Sequence, residues 1–360
     1  MVIIGLRFII KRFTINIKIL YVYEIAMNLT TRQALLLISV SGKNVAARLS
    51  EQAGISRQAA SARLRNAIKK GFVVSSGKGR GICYKLAEIA RIHQEFEKGG
   101  LSEDSVWRLV LAPVVAGFPE NVRDIWHYGF TEMVNNAIDH SEAKAVHVWV
   151  VKNSLFTQAW VADDGVGIFL KIQRSLNLFD PRESILELAK GKLTTDPTNH
   201  SGEGIFFSSK VFDLFDIRSG SLHFMHDDGL NDLLIKRADN AEGTLVVMQL
   251  FNDSTRTTKE VFDKFTTDEE YTFAKTIVPV RLAQYEGEKL VSRSQAKRLI
   301  FRFEKFKTVI LDFSCVEEIG QAFSDEVFRV FQNTHTDTKL VPINMSESIR
   351  NMVSRAKSSA

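Results

Sequence analysis

Glu132-Met133-Val134-Asn135-Asn136-Ala137-Ile138-Asp139-His140 is the stretch from which the rest of the chain can be read. On a helix, Glu132 and Asn136 stand at i and i+4 and share one face. A carboxylate there can orient a water, while an amide oxygen reaches a hard cation such as Mg²⁺. Further along comes Asp163-Asp164-Gly165-Val166-Gly167-Ile168, and then Gly202-Glu203-Gly204. Asp163 ends the apolar strand-like run Ala159-Trp160-Val161-Ala162, where its carboxylate can accept from the exocyclic amine of adenine. Gly165 and Gly167 let backbone approach a flat base with no Cβ between them. Gly202 and Gly204 precede a helix-like run, Ile205–Phe215, whose free N–H groups would face phosphates. Each piece alone is weak, since DxGxG and GxG arise in many loops. Their order and spacing carry the reading. The bland alternative is a polar helix face, a chance turn and a glycine cap.

The ordered set resembles the gyrase, histidine kinase and MutL superfamily of ATPases, which share the Bergerat fold, over about residues 100–255. The resemblance implies that ATP and Mg²⁺ bind here. By it, Asn136 is the magnesium ligand, Asp163 the adenine-reading carboxylate and Glu132 the catalytic general base. Thr244, in Gly243-Thr244-Leu245-Val246-Val247, matches the late-strand threonine that supports the aspartate. Asp139 matches a polar position close to the nucleotide, and His140 one turn past Asn136 either packs or touches it. Gly191-Lys192-Leu193-Thr194-Thr195 looks like the start of the family's mobile lid, extending over Lys192–Ser201, with Lys192 directed to the phosphates. Asn199-His200-Ser201 departs from the further glycines that many members carry there.

Charge divides the chain. Residues 1–98 hold 17 Lys and Arg against 5 Asp and Glu, a net +12, and the remainder holds 30 against 37, a net −7. A basic front on an acidic body points to nucleic acid as a partner of the front alone. Thr30–Val40 and Val45–Gln52 read as helices. Ser56 is a good N-cap for a third, Arg57–Lys70, with Ala60, Leu64, Ala67 and Ile68 at apolar spacing. Phe72–Leu86 reads as a hairpin with a glycine-rich basic tip. Three helices and a two-stranded wing, over residues 28–97, resemble the winged helix-turn-helix of bacterial transcription regulators. That implies duplex DNA as partner, with Arg57, Gln58 and Ser61 at base edges and Arg65, Lys78 and Arg80 at phosphates. A winged helix used for protein contacts is the alternative.

The tail, residues 256–360, reads as strand, helix, strand, helix, strand. The segments are Thr272–Leu282, Ser292–Lys305, Thr308–Phe313, Ser324–Asn333 and Lys339–Ile343. Val309-Ile310-Leu311-Asp312-Phe313-Ser314 followed by Ile319-Gly320-Gln321-Ala322-Phe323-Ser324 resembles a STAS-like domain, implying an unidentified protein partner. Anti-sigma factor antagonists of that superfamily carry an Asp-Ser pair whose serine is phosphorylated. Gly320-Gln321 stands at that place, so no phosphoacceptor is carried over, and Ser324 reads as a helix cap.

The chain of 360 residues is thus multidomain: a winged helix-turn-helix at 28–97, an α/β sandwich of helices on a mixed sheet at 98–255, and a small α/β domain at 256–360. Residues 1–27 form an extension. Val2–Tyr23 is apolar but broken by Arg7, Lys11, Arg12 and Lys18, short of a membrane span. A poorly packed extension and a membrane-surface anchor both fit, and Met27 is a sensible alternative start. Cys83 and Cys315 form no CxxC pattern, so neither a disulfide framework nor zinc is expected, and a reducing cytoplasm is the setting. A homodimer is left open. The function expected is an ATP-dependent regulator coupling nucleotide state to a DNA-binding head and a protein-binding tail. The alternative is a serine/threonine kinase of the anti-sigma factor kinase type, or a slow ATPase. A sensor histidine kinase is disfavoured, because no helical hairpin with an acceptor histidine precedes the ATP motifs.

Overall fold

Three short helices, each with one apolar face, open the computed structural model, which describes residues 29–193, 202–227, 230–266, 273–285 and 288–358. They are α1 (Leu29–Val40), α2 (Val45–Ala53) and α3 (Arg57–Lys69). Leu35, Ile38, Val45, Leu49, Ala60 and Leu64 meet in a small core between them. Ser56 caps α3, its Oγ accepting from Ala59 N at 3.1 Å. β1 (Val73–Ser76) and β2 (Cys83–Leu86) follow as an antiparallel hairpin. This head borrows a residue from the next unit: Leu155, only 1% exposed, completes its core. The extension at 1–27, the lid from Thr194 to Ser201 and the expected start of a tail strand at Thr272 all lie outside the described residues.

The middle unit is a five-stranded sheet. β3 (Ala90–Glu97), β4 (Ala145–Lys152), β5 (Phe156–Asp163), β6 (Leu214–Asp227) and β7 (Leu230–Phe251) run in the order β3-β4-β5-β7-β6. Every pairing in it is antiparallel. Val146, Val148 and Val150 on β4, with Ala159 and Val161 on β5, are buried on one face at period two. The helices cover that face. α4 (Glu103–Val106) and α5 (Ala112–Val115) flank a π-helical stretch, Trp107–Leu111. α6 (Glu120–Asp139) buries Val122, Ile125, Trp126, Phe130, Met133, Val134 and Ala137, a stripe at three- and four-residue spacing. Each large side chain so buried contributes about 1.5–3 kcal/mol. α7 (Ile168–Leu176), α8 (Glu183–Lys190), α9 (Gly204–Val211) and α10 (Thr258–Asp263) complete the layer. The sequence suggests a helix through Phe215, but α9 stops at Val211. Phe215 and Ile217 instead alternate inward on β6, which satisfies their backbone groups against β7.

The tail is a parallel three-stranded sheet in the order β10-β9-β8. Its strands are β8 (Lys275–Pro279), β9 (Thr308–Asp312) and β10 (Lys339–Ile343). The mixture of strand directions therefore lies between the sheets and not within the larger one. α11 (Arg293–Ile300) starts from a capping box of Ser292 and Gln295. It ends at Ile300, well before Lys305: Phe301 turns out of the helix with a ψ of 127°, and Arg302 follows with a φ of +64°. The next helix starts earlier than expected. α12 (Gln321–Asp325), a π-helical stretch (Glu326–Phe331) and α13 (Gln332–Thr334) are continuous, and Gly320 is the N-cap. Ser324 is therefore no cap: it lies buried inside the helix, donating to Met352 O at 3.1 Å. Met352 belongs to a closing helix, α14 (Glu347–Ser358). Its apolar positions Ile349, Val353 and Ala356 stand at i, i+4 and i+7.

Middle and tail share one continuous core. Phe206 and Phe207 of α9 meet Phe265 and Phe273, and Phe273 meets Phe306 before β9. Among the described residues, no helix is long and apolar enough to cross a membrane.

Candidate functional site

One cavity of about 270 Å³ opens between α6, α7, α9 and the sheet. Glu132, Asn136, His140, Asp163, Gly167, Ile168, Gly202, Gly204 and Thr244 all line it. These come from every one of the three motifs and from the late strand. Three other expected residues do not line it. Asp139 is exposed at the last residue of α6. Gly165 supports the site from behind, and Lys192 is engaged elsewhere.

Strand pairing sets the sheet wall. Asp163 at the end of β5 lies opposite Thr244 on β7. The Asp163 carboxylate accepts from Gly165 N at 3.0 Å and Thr244 N at 3.2 Å. The Thr244 hydroxyl accepts in turn from Ile168 N at 3.0 Å, tying the start of α7 to the same strand. Burial pushes the Asp163 carboxyl up to about 6, against the two backbone donors that favour its ionised form. A carboxylate so held keeps acceptor capacity for a donor entering the cavity. Gly167 bends the chain from this wall into α7 with a φ of +84°, and a Cβ there would strike the Ser219 hydroxyl.

The helix wall is α6. Asn136 Nδ2 donates to Glu132 O at 2.8 Å, which fixes the amide and leaves Oδ1 as its free acceptor end. The Glu132 carboxylate lies against the backbone of Gly204, where even a methyl group would collide with it. Gly204 is the first residue of α9, so a carboxylate and a helix N-terminus meet at this end of the cavity. Burial raises Glu203 above the ordinary carboxylate range, with Lys192 opposing. Burial likewise raises the Tyr128 phenol, and Glu132 and Glu203 add to the effect.

The apolar walls escape motif reading. Val161, Ile172, Leu188, Leu193, Ile217 and Val246 also line the cavity, as does Lys171. Lys171 Nζ donates to His140 O at 2.6 Å, clamping the end of α6 to α7. A sequence signal existed for part of this set: Ile168, Lys171 and Ile172 share a helix face directly behind the glycine turn. Leu188 and Leu193 carry no such signal.

Lys192 Nζ donates to Lys305 O at 2.9 Å, between the rings of Phe273 and Phe306. Two residues earlier, Lys190 is fully buried and donates to Glu187 Oε1 at 2.5 Å and Phe301 O at 2.8 Å. Burial pulls the Lys190 ammonium below its ordinary value, against the opposing pull of Glu187.

On the head, Arg57, Gln58, Arg65 and Lys78 are exposed and Ser61 is half-buried. The first residues of α3 and the hairpin tip thus present Arg57, Gln58 and Lys78 to solvent. The Arg80 side chain lies outside the described atoms.

Among the described residues no cluster of three or more His, Cys, Asp or Glu forms a metal site by itself. Comparison with curated proteins gives no match. A family model described as "STAS-like domain of unknown function (DUF4325)" matches residues 295–350, so the parallel layer from α11 to the start of α14 includes a STAS-like domain.

Proposed function

We propose that the chain is an ATP-binding regulator, with a Bergerat-type nucleotide module between a winged helix-turn-helix head and a STAS-like tail. One observation carries this reading: residues from three motifs, far apart in sequence, line a single cavity. The sheet covered by α6 and α9 and the Asp163–Thr244 pair support it, although every strand pairing in that sheet is antiparallel where a mixed sheet was expected. Asp163 would accept from the adenine amine. Gly202, Gly204 and the first N–H groups of α9 would face phosphates. Asn136 Oδ1 suits Mg²⁺, which takes few protein ligands and completes its shell with water and phosphate oxygens. When bound, the ion would neutralise phosphate charge. The chain's own part is to hold the nucleotide between α6 and the sheet, with the Glu132 carboxylate beside the phosphate end.

Calorimetry with ATP and Mg²⁺ tests the assignment. Asp163→Asn should abolish binding, because a mixed donor–acceptor group would face the adenine amine. Affinity unchanged in that variant removes the assignment. The pH dependence has a defined sign. Asp163 is ionised above about 6 and protonated below. Affinity should therefore fall as pH drops through that value, by at most roughly tenfold per pH unit for one proton.

A second reading, phosphoryl transfer or slow hydrolysis, is favoured by Glu132 lying at Gly204. Labelled γ-phosphate appearing on protein supports a kinase, free phosphate supports an ATPase, and neither supports a switch. Glu132→Ala should keep nucleotide binding and lose turnover. The head is read as a duplex-DNA binder from its exposed Arg57, Gln58, Arg65 and Lys78. Removing Lys78 and Arg80 should flatten the salt slope by about two units.

A further inference from the structure

The wall of the cavity formed by Leu188 and Leu193 is held from outside the nucleotide module. Leu188 lies on α8, and Leu193 follows two residues after its C-cap, Gly191. Between these two wall residues, Lys190 and Lys192 are fastened to the tail at several points. The Lys190 ammonium donates to Phe301 O, at 2.8 Å. The Lys190 carbonyl accepts from Thr276 Oγ1 of β8, at 2.7 Å. The Lys192 carbonyl accepts from Arg302 Nη2. Arg302 Nη1 also reaches the Glu187 carboxylate at 2.9 Å, one turn back on α8. Arg302 is 6% exposed, Glu187 1% and Lys190 0%. Its left-handed backbone at the end of α11 directs the guanidinium along this seam.

The packing is more than an adhesive contact. A guanidinium presents donors in a fixed fork. Here one arm reads a side chain on α8 and the other a backbone carbonyl beyond its end, so the fork sets the angle at which the chain leaves the helix. Leu193 N then donates to Gly202 O at 2.9 Å, carrying that angle to the glycine turn before α9. A change at Arg302 is thus passed through its hydrogen bond to Lys192 O and one peptide link to the apolar wall at Leu193, and through a second hydrogen bond to the phosphate end.

We propose that Arg302, within the STAS-like domain, is a positioning residue for the cavity, so that the nucleotide site is complete only with the tail docked. The proposal rests on the nucleotide reading given above. It implies that whatever displaces the tail from α8 weakens nucleotide binding, and that nucleotide strengthens the docking by the same factor.

The test uses the full chain with Arg302→Gln, which removes the fork while Glu187 keeps Lys190 as a partner. Arg302→Lys should recover part of the loss. Thr276→Val cuts the neighbouring anchor without touching any charge. Ser324→Ala is the control, since it removes a buried tail hydrogen bond that does not reach α8. Two readouts are taken: affinity for an ATP analogue with Mg²⁺, and hydrogen exchange at 188–193. Arg302→Gln should weaken binding roughly tenfold, within the usual range of coupling between sites. It should also speed exchange at 188–193, with Thr276→Val moving both in the same direction and Ser324→Ala moving neither. Wild-type affinity and exchange in Arg302→Gln would overturn the proposal, and so would an equal loss in Ser324→Ala. Should the wild-type chain bind no nucleotide, the nucleotide reading fails. The exchange at 188–193 then decides the positioning claim alone.

Discussion

The two ends of this chain join its middle in opposite ways. The head keeps its own small core and meets the middle at Leu155, at Phe156 and Phe251 packed against that core, and at a partly exposed pair, Arg32 with Asp253 at 2.9 Å. The tail has no separate core. Its aromatic residues merge with those of α9, and its seam with α8 contains an ion cluster cut off from water. Exposed pairs are screened and contribute little, whereas buried ones are expensive to break. With a core of its own, the head is expected to unfold separately from the middle. The tail is built to share the fate of the middle unit.

The contrast can be broken most sharply at Glu187. Glu187→Ala would leave Lys190 and Arg302 buried side by side with no carboxylate between them, which costs roughly 3–5 kcal/mol. Urea unfolding should show this loss in a transition shared by middle and tail. A shift confined to the tail would mean that the two are not one cooperative unit. Leu155→Ala should cost roughly 2–4 kcal/mol as a core truncation. Its loss should fall on the head, and near-UV signals from Trp126 in the middle should hold at their original midpoint. Arg32→Ala should be the mildest, less than about 1 kcal/mol, because its partner is half-exposed and salt already weakens the pair. A larger loss would show that the contact of Arg32 with the Phe251 ring, 5.1 Å away, holds the head in place.

Local signals were legible where chemistry and structure share a short stretch. Ser56 announced α3, and the Glu132–His140 motif lies on one helix because its polar positions repeat at helical spacing. Asp163 could be placed at a strand end because the run before it, Ala159–Ala162, is continuously apolar. The failures have one cause. α9 ends early since Phe215 is worth more on β6, and Ser324 is interior because α14 supplies its acceptor from 28 residues away. α14 itself went unread although its apolar spacing is plain. The Arg302–Glu187 contact spans 115 residues, and no window of sequence contains both partners. Lys192 illustrates the same limit: its position beside the motif suggested a phosphate, yet its ammonium lies on Lys305 O.

Strand β5 has a property that follows from where it begins and ends. Leu155, buried in the head, immediately precedes its first residue, and Asp163 is its last. At about 3.3 Å per residue the strand is a straight rod of about 23 Å, hydrogen-bonded along both sides. A tilt of one degree at the head end displaces the other by about 0.4 Å over that length. The pairings with β4 and β7 resist such a tilt, so β5 holds the head's core and Asp163 at a fixed separation, and the head can loosen without displacing the carboxylate.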